Sequence, residues 1–339
     1  MHKQTTGLTR RAMLAVAAGG AAAGVLAKPA LAQRARTLRL GSPQPVESNY
    51  HRAAVMFAAE VAKLSSDRLK VDVFPNAQLG SINEMLNAVQ TGTLSMTLAV
   101  PAWYSGIIKP MDVFTLPFLV RSPERLRAAL DGPLGDVMKA KAEAVNLHFM
   151  NWWLMGARHM VNNVHPINTP ADVAGLKMRV ISSPVYIEAF KALGANPVVL
   201  DSAEIYLGMQ QKVVDGLEYP VPDMISAKLY EVSKFMSLTG HTTDFFVVSM
   251  NKPLWDGMSA EEKAILTQAM KTATDWEWEA QPVTTREALT KLGTLIQINE
   301  LSAENRAAFA TQTQAIYGKF EASIGKDVLD LAMRNLGAA

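Results

Sequence analysis

The sequence predicts an α/β protein large enough for two domains, and three observations lead to that class. The chain has 339 residues, more than one typical domain needs. Apolar residues make up 49% and charged residues 19%, a balance that allows a sizeable buried core and excludes wholesale disorder. Finally, alternating or apolar runs typical of strands take turns with segments of helical periodicity.

The first half of the chain begins with this alternation of strands and helices. Leu69, Val71 and Val73 alternate with polar residues, which is the period of a half-buried strand. Gly132-Pro133 interrupts a longer helical pattern. We predict strands at 37–43, 68–74, 95–100, 147–155 and 158–163, and helices at 49–65, 82–90 and 123–145, the last broken near Gly132-Pro133.

The second half continues the alternation and contains the longest helix. Ser259-Ala260-Glu261-Glu262 is a capping box, and apolar residues recur behind it, past Pro282, as far as Leu292. Such a helix is about 50 Å long at 1.5 Å per residue, enough to lie across two domains. We predict strands at 177–182, 197–200, 217–219, 235–250 and 294–299, and helices starting at Thr169 and covering 184–193, 202–214, 223–233 and 304–336.

Residues 1–32 form an export signal. Arg10-Arg11 precede an Ala/Gly-rich apolar stretch, and Ala30-Leu31-Ala32 has the form that signal peptidase cleaves. The arginine pair favours twin-arginine export, while an ordinary Sec signal stays open. Either route leads to the periplasm, and we expect the mature chain to be soluble and without a membrane anchor.

Composition excludes several function classes. Cysteine is absent, which removes disulfide scaffolds, thiol nucleophiles and cysteine-ligated metals. The signal contains four basic residues and no acidic residue, so the exported part carries a net charge of −2 and lacks the basic excess of nucleic-acid binders. His148, His159 and His165 do not have the spacing of ligands on one helix face. We therefore expect no metal, no cofactor and no nucleic-acid partner.

Two arginines stand out in the middle of the chain. Arg158 follows a very apolar run, and Arg179 lies within an apolar strand pattern. A buried guanidinium needs an anion, and its planar fork suits a carboxylate. For Arg179 two interpretations stay open: a ligand carboxylate, or an internal acid such as Glu218. The segment with Glu218 and Tyr219 is a short strand, and the ends of strands in α/β sheets are where ligands bind.

Together these segments resemble the solute-binding proteins of tripartite ATP-independent periplasmic (TRAP) transporters, of the DctP type. The resemblance extends over essentially the whole mature chain. It is carried by Phe74-Pro75-Asn76-Ala77-Gln78-Leu79-Gly80, Thr91-Gly92-Thr93-Leu94-Ser95-Met96, Leu116-Pro117-Phe118, Gly156-Ala157-Arg158, the stretch from Thr169 to Val180, Ala192-Leu193-Gly194-Ala195-Asn196-Pro197 and Val214-Asp215-Gly216-Leu217-Glu218-Tyr219-Pro220.

The resemblance implies an α/β two-lobed periplasmic binding protein fold, with a cleft between the lobes and a long helix spanning both. It divides the chain into lobe I, residues 33–156 plus 245–283, and lobe II, residues 157–244 plus 284–339. The family's carboxylate-binding arginine falls on Arg179, and its second cleft arginine on Arg158.

Further side chains are expected in the ligand site. The resemblance places contacts at Trp103 and Tyr219, and aromatic walls suit an apolar or aromatic acid or the carbon face of a hydroxy acid. Gln44 and His51 follow the first strand as polar candidates. Glu218 and Phe245, the latter where the chain recrosses between the lobes, complete the set.

The resemblance implies a function in binding rather than chemistry. A small carboxylate pairs with Arg179, the lobes close around it, and the closed form delivers it to the membrane subunits of a TRAP transporter. We expect a monomer that is not an enzyme. Two alternatives stay open: a binding protein that docks on a sensor receptor, and a periplasmic enzyme on a similar fold.

Overall fold

The computed structural model describes residues 35–337, so the export signal predicted at 1–32 lies outside the described residues. The first half of the described chain alternates between strands and helices. It contains β1 (Arg36–Gly41), α1 (Asn49–Ser65), β2 (Leu69–Phe74), α2 (Ile82–Thr91), β3 (Met96–Ala99), α3 (Pro123–Leu130), α4 (Pro133–Glu143) and β4 (Leu147–Asn162), with 3₁₀ turns at Pro101–Tyr104 and Lys109–Thr115.

The second half has shorter elements around two long ones. It contains β5 (Lys177–Val180), α5 (Pro184–Ala192), β6 (Asn196–Val199), α6 (Ile205–Gln210), β7 (Gly216–Pro220), α7 (Val221–Ser226), β8 (Phe235–Asn251), α8 (Lys252–Asp256), α9 (Ala260–Leu292), β9 (Gln297–Glu300), α10 (Ala303–Gln314), α11 (Ile316–Ile324) and α12 (Lys326–Leu336), with 3₁₀ turns at Pro170–Val173, Ser202–Glu204 and Leu229–Val232.

The described strands form one sheet in the order β2-β1-β3-β8-β4-β7-β5-β6, with β9 added alongside β8. At one end of the sheet β1 pairs in parallel with β2 and β3, and β3 pairs with the last residues of β8. At the other end β5 lies between β6 and β7. The fold is therefore an α/β fold with two groups of strands, one in each lobe.

The long strands β4 and β8 connect the two groups. They pair antiparallel from Leu147 opposite Asn251 to Asn162 opposite Phe235, with a register shift between Leu154 and Gly156. Gly156 has φ of +99°, a conformation that favours glycine, and lies opposite Asp244. β-Bulges of this kind bend a strand. The paired strands thus change direction at Gly156.

Helix α9 spans both lobes and is attached to the crossing. It has 33 residues with Pro282 inside it, and it packs against α1 of one lobe and α7 of the other. Side chains of α9 hydrogen-bond the backbone of β4 where its pairing with β8 is irregular. Glu277 Oε2 accepts from the Leu154 N–H at 2.7 Å, and Gln281 Nε2 donates to the Met155 carbonyl at 3.0 Å. The long helix therefore supports the crossing directly.

Some predicted elements differ from the structure. The two strands predicted at 147–155 and 158–163 are wrong, because the bulge at Gly156 bends one continuous strand without ending it. The helices predicted at 202–214 and 223–233 are too long, since α6 ends at Gln210 and α7 at Ser226. The helices at 49–65 and 82–90, the break at Gly132-Pro133 and the helix from Ser259 are confirmed. Among residues 35–337, no helix combines the length and hydrophobicity needed to cross a bilayer.

Candidate functional site

The predicted arginines lie on two different strands of the second lobe, and their surroundings differ. Arg158 is on β4, between β7 and β8, while Arg179 is on β5, between β6 and β7. Both side chains are 1% exposed. A buried guanidinium costs free energy unless anions or hydrogen-bond acceptors compensate it. The residues on the neighbouring strands determine which acceptors each arginine contacts.

Arg158 is compensated by acids on both flanking strands. Its Nη2 donates to Glu218 Oε1 at 2.7 Å and to the Glu218 carbonyl at 3.1 Å, and its Nε donates to Glu218 Oε2. Its Nη1 donates to Asp244 Oδ2 at 3.1 Å and contacts the Met155 sulfur at 3.7 Å. Glu218 and Asp244 are diagonal neighbours of Arg158 in the β7 and β8 registers. All three nitrogens of this guanidinium are occupied.

The charge of Arg158 affects the pKa values of the surrounding acids to different extents. Burial raises the pKa of Glu218, but the charge of Arg158 and the hydrogen bonds from His241 and Arg158 together outweigh burial and hold that pKa below its ordinary value. For Asp244 burial wins over Arg158 and raises its pKa to about 6. The carboxylate of Asp223, which lies on α7 and is 1% exposed, accepts only from Tyr50 Oη, at 3.4 Å, among the hydrogen bonds of the described chain. Burial raises the pKa of Asp223 to about 7.

Arg179 lacks such partners. Its Nε and Nη2 both donate to the Leu200 carbonyl, at 3.0 and 2.8 Å, and within residues 35–337 it forms no ion pair. Val198 and Leu217 are its register partners on the flanking strands. Residues in register share a face of the sheet, so Arg179 lies on the face of Leu217 and Glu218 on the opposite one. Burial accordingly lowers the pKa of Arg179.

A cavity of about 310 Å³ lies between the loops that follow β1 and β2 and the segments around Asp201 and Lys228. Arg179 is not among the residues that line it, and is connected to its wall through Leu200. Leu200, which accepts from Arg179, is followed directly by Asp201 in the cavity wall. Tyr219 also lines the cavity and lies on the same sheet face as Arg179. The residues with polar side chains in this wall are Gln44, Asn76, Asp201, Ser202, Tyr219, Ser226 and Lys228.

The other predicted site residues lie apart from this cavity. Glu218 is fully buried and bound to Arg158, and Phe245 is fully buried with its ring edge-to-face on Phe114 and Trp152. Trp103, 7% exposed, is in the 3₁₀ turn after β3. His51, half-buried in the first turn of α1, has its Nδ1 buried with no hydrogen-bond partner in the part of the chain that the structure describes.

Sequence reasoning missed the polar residues that join the lobes beside the cavity. Tyr50 of α1 contacts Asp223 of α7, and Gln281 of α9 donates to Tyr50 Oη at 2.9 Å. These three residues line a second cavity of about 380 Å³, which shares Ser226 and Lys228 with the first. Each residue sits in an unremarkable amphipathic segment, so no local pattern marks it. By contrast Asn76 belongs to the motif Phe74-Pro75-Asn76-Ala77-Gln78-Leu79-Gly80, and its φ of +54° is the left-handed conformation that asparagine adopts in turns. A turn at this point could have been predicted from the sequence.

Comparison with known proteins gives one consistent family. The sequence profile of the bacterial extracellular solute-binding proteins of family 7, DctP, matches residues 40–323. A 2,3-diketo-L-gulonate-binding periplasmic protein of Escherichia coli K12 is 34% identical over 255 residues, which is 75% of this chain and 78% of the relative. The C4-dicarboxylate-binding periplasmic protein DctP of Rhodobacter capsulatus is 30% identical over 326 residues, 95% of this chain and 97% of its own.

Solved structures agree with the sequence comparison. The sugar acid binding protein of Advenella mimigardefordensis, in complex with galactonate, superposes with a TM-score of 0.86 at 31% identity. The match covers 89% of this chain and 99% of that protein. The likeness extends over both groups of strands and the helix that spans them.

Proposed function

The chain belongs to family 7 of the bacterial extracellular solute-binding proteins, the TRAP solute-binding proteins, and we propose that it captures a small organic acid for transport. In this proposal the ligand carboxylate pairs with Arg179. The closed protein then delivers the acid to the membrane subunits of a TRAP transporter. The protein acts as a monomer and leaves the acid chemically unchanged.

The observation that carries this proposal is the unpaired state of Arg179. A guanidinium that is 1% exposed, and that within residues 35–337 contacts a backbone carbonyl but no carboxylate, is only partly compensated. An incoming carboxylate supplies the missing anion and the bidentate geometry that arginine favours. Because the site is shielded from water, the ion pair is stronger there than at the surface.

Closure of the lobes fits the arrangement of the crossing strands. We place lobe I at 33–156 plus 245–283 and lobe II at 157–244 plus 284–339, so that both boundaries fall where Gly156 lies opposite Asp244. In this proposal the bend at this point acts as the hinge, and helix α9 guides the motion. The ligand becomes enclosed between residues of both lobes, as Gln44 and Tyr219 already flank the same cavity.

The proposed location is the periplasm. The supporting features are the family and the signal predicted at 1–32, whose arginine pair favours twin-arginine export. The alanine motif ending at Ala32 sets the mature start at Gln33. The transporter that receives the acid is then the integral-membrane partner.

A thermal-shift screen tests the proposal. The purified protein, freed of co-purified ligand, is heated with D-galactonate, D-gluconate, succinate, benzoate and 2-oxobutanoate, and with the neutral sugar D-galactose. A ligand at a hundred times its Kd stabilises by about 2.7 kcal/mol, so binding raises the melting temperature by several degrees.

Two variants serve as the test of the binding site and as its control in this screen. Arg179→Met removes the proposed carboxylate partner, and Arg52→Met removes an exposed arginine of α1 as a matched control. We expect an acid to shift the wild type and Arg52→Met but not Arg179→Met. An equal shift in a folded Arg179→Met protein contradicts the proposed site, and a response to D-galactose alone contradicts carboxylate capture.

A further inference from the structure

The cavity whose wall is connected to Arg179 through Leu200 contains an unused hydrogen-bonding side chain. Gln44 is only 8% exposed, lines the cavity, and its side-chain amide makes no hydrogen bond within residues 35–337. Its backbone, by contrast, is fixed, since its N–H donates to Ser42 Oγ and its carbonyl accepts from Asn76. The amide faces the cavity and is not sealed in the core, so it is free to hydrogen-bond a ligand that offers a donor and an acceptor.

Next to this cavity there is one buried guanidinium that can anchor a carboxylate, and not two. Arg158 has every nitrogen committed to Glu218, Asp244 and the Met155 sulfur, which leaves Arg179 as the buried guanidinium with free N–H groups. The two charged side chains of the cavity wall, Asp201 and Lys228, have opposite signs. A second carboxylate therefore meets no net positive charge, and Asp201 repels it.

The rest of the wall suits hydroxyl groups. Asn76 and Ser202 add a neutral amide and a hydroxyl, and Ser226 Oγ is buried without a partner in the described chain. Tyr219 is the single aromatic ring in this wall, so the cavity lacks the aromatic sandwich that a flat aromatic acid prefers. A volume of about 310 Å³ lies at the small end of ligand cavities.

We propose that the acid captured by this cleft is a hydroxylated monocarboxylate of sugar-acid size, and that Gln44 selects it by hydrogen bonding a hydroxyl. This inference rests on the proposed function, because it takes the carboxylate to lie on Arg179. The amide of Gln44 comes from the lobe opposite Arg179, so a ligand that reaches both connects the two lobes. Hydroxyls thereby contribute to closure as well as to recognition.

Isothermal titration with four ligand types tests the substrate class. The hydroxy acids are D-galactonate, D-gluconate and D-erythronate; the matched probes are hexanoate and butanoate without hydroxyls, succinate and adipate with a second carboxylate, and galactitol without any carboxylate. We expect at least one of the three hydroxy acids to bind at least tenfold more tightly than each of the matched probes. A site that hydrogen-bonds a hydroxyl rejects analogues lacking it, because its own polar groups are then left unpaired.

The outcomes separate this inference from the proposed function. If succinate, adipate, hexanoate or butanoate binds as tightly as the best hydroxy acid, the hydroxylated class is overturned while carboxylate capture stands. If galactitol equals the acids, or if no acid binds, carboxylate capture itself is overturned.

A substitution at Gln44 tests the role of that residue. Gln44→Met keeps the length of the side chain and removes the amide, and we expect about tenfold weaker binding of the best hydroxy acid, the loss of about one hydrogen bond. Hexanoate is expected to bind the variant as it binds the wild type. The control Gln268→Met, on the exposed face of α9, should change neither affinity.

A second variant protects the test against misfolding. Gln44→Glu keeps an acceptor but adds a negative charge near the anionic ligand, so it should weaken every acid more than Gln44→Met does. Circular dichroism confirms that each variant is folded. Unchanged hydroxy-acid affinity in a folded Gln44→Met protein overturns the assignment of Gln44.

Discussion

The two buried arginines carry the same charge at the same depth but are compensated in opposite ways. Arg158 has carboxylates on both flanking strands, whereas Arg179 has apolar register partners and one backbone carbonyl. Burial with internal partners is a structural arrangement, while burial without them leaves a place for an external anion. The partners of a buried arginine, rather than its burial, therefore indicate its role.

The largest expected change in stability follows when Glu218, the partner of Arg158, is neutralised. Glu218→Gln keeps the shape of the side chain but leaves a buried guanidinium with Asp244 alone, and we expect the free energy of unfolding to fall by about 3–5 kcal/mol. Urea denaturation measures it. Glu188→Gln, which removes a carboxylate from surface ion pairs with Lys191 and Lys319, should cost less than about 1 kcal/mol. A Glu218→Gln loss as small as that of the control refutes a structural role for the Arg158 pair.

The excess of acids around Arg158 predicts that stability depends on pH. The pKa of Asp223 is about 7 in the folded protein against 3.8 ordinarily, so the folded state binds more protons than the unfolded state between these values. Stability from this group is complete below pH 4 and is lost as the pH rises through about 7. We expect the wild type to lose about 2–3 kcal/mol between pH 5 and pH 8 through Asp223.

Asp223→Asn isolates this contribution, because its amide cannot ionise. The variant's unfolding free energy should lack that part of the decline between pH 5 and pH 8. Asp330→Asn, which changes an exposed carboxylate of α12 paired with Lys326, serves as the matched control and should keep the full decline. Parallel pH profiles for wild type and Asp223→Asn would show that Asp223 does not titrate in this range.

The smallest expected effect concerns the backbone that positions Arg158. A Cβ at Gly156 meets no atom within 4 Å, so Gly156→Ala tests only the strain of φ at +99°. We expect a loss of about 1–2 kcal/mol in unfolding free energy. Gly106→Ala, at a glycine with equally open space and without a positive φ, is the control and should change stability little. Equal values for the two variants would mean that the bulge relaxes to accept a side chain.

Much of this arrangement follows from local sequence. The alternation around Met178 and Val180 places Arg179 in a buried strand, and the capping box at Ser259 predicts the long helix. Both signals depend only on neighbouring residues. The two-lobed fold was accessible as well, through the resemblance carried by motifs along the whole chain.

The identity of each arginine's partner was not accessible in this way. Glu218 was an open candidate for Arg179, yet the antiparallel β4–β7 register puts it beside Arg158 and the pleat turns it away from Arg179. Register between distant strands is a tertiary property. The same holds for Tyr50 and Asp223, which come together only when α1 and α7 pack across the lobes.

Arg158 is expected to stabilise the fold, whereas Arg179 is expected to bind a ligand. Comparing Arg158→Met with Arg179→Met by urea denaturation without ligand tests this difference most directly. Arg158→Met leaves Glu218 and Asp244 buried without a cation, and we expect it to lose about 3 kcal/mol or more. Arg179→Met leaves only the Leu200 carbonyl without a partner and removes a buried charge that has no carboxylate in contact, so we expect a stability within about 1 kcal/mol of wild type. Equal losses in the two variants would contradict the account, because Arg179 would then be as structural as Arg158.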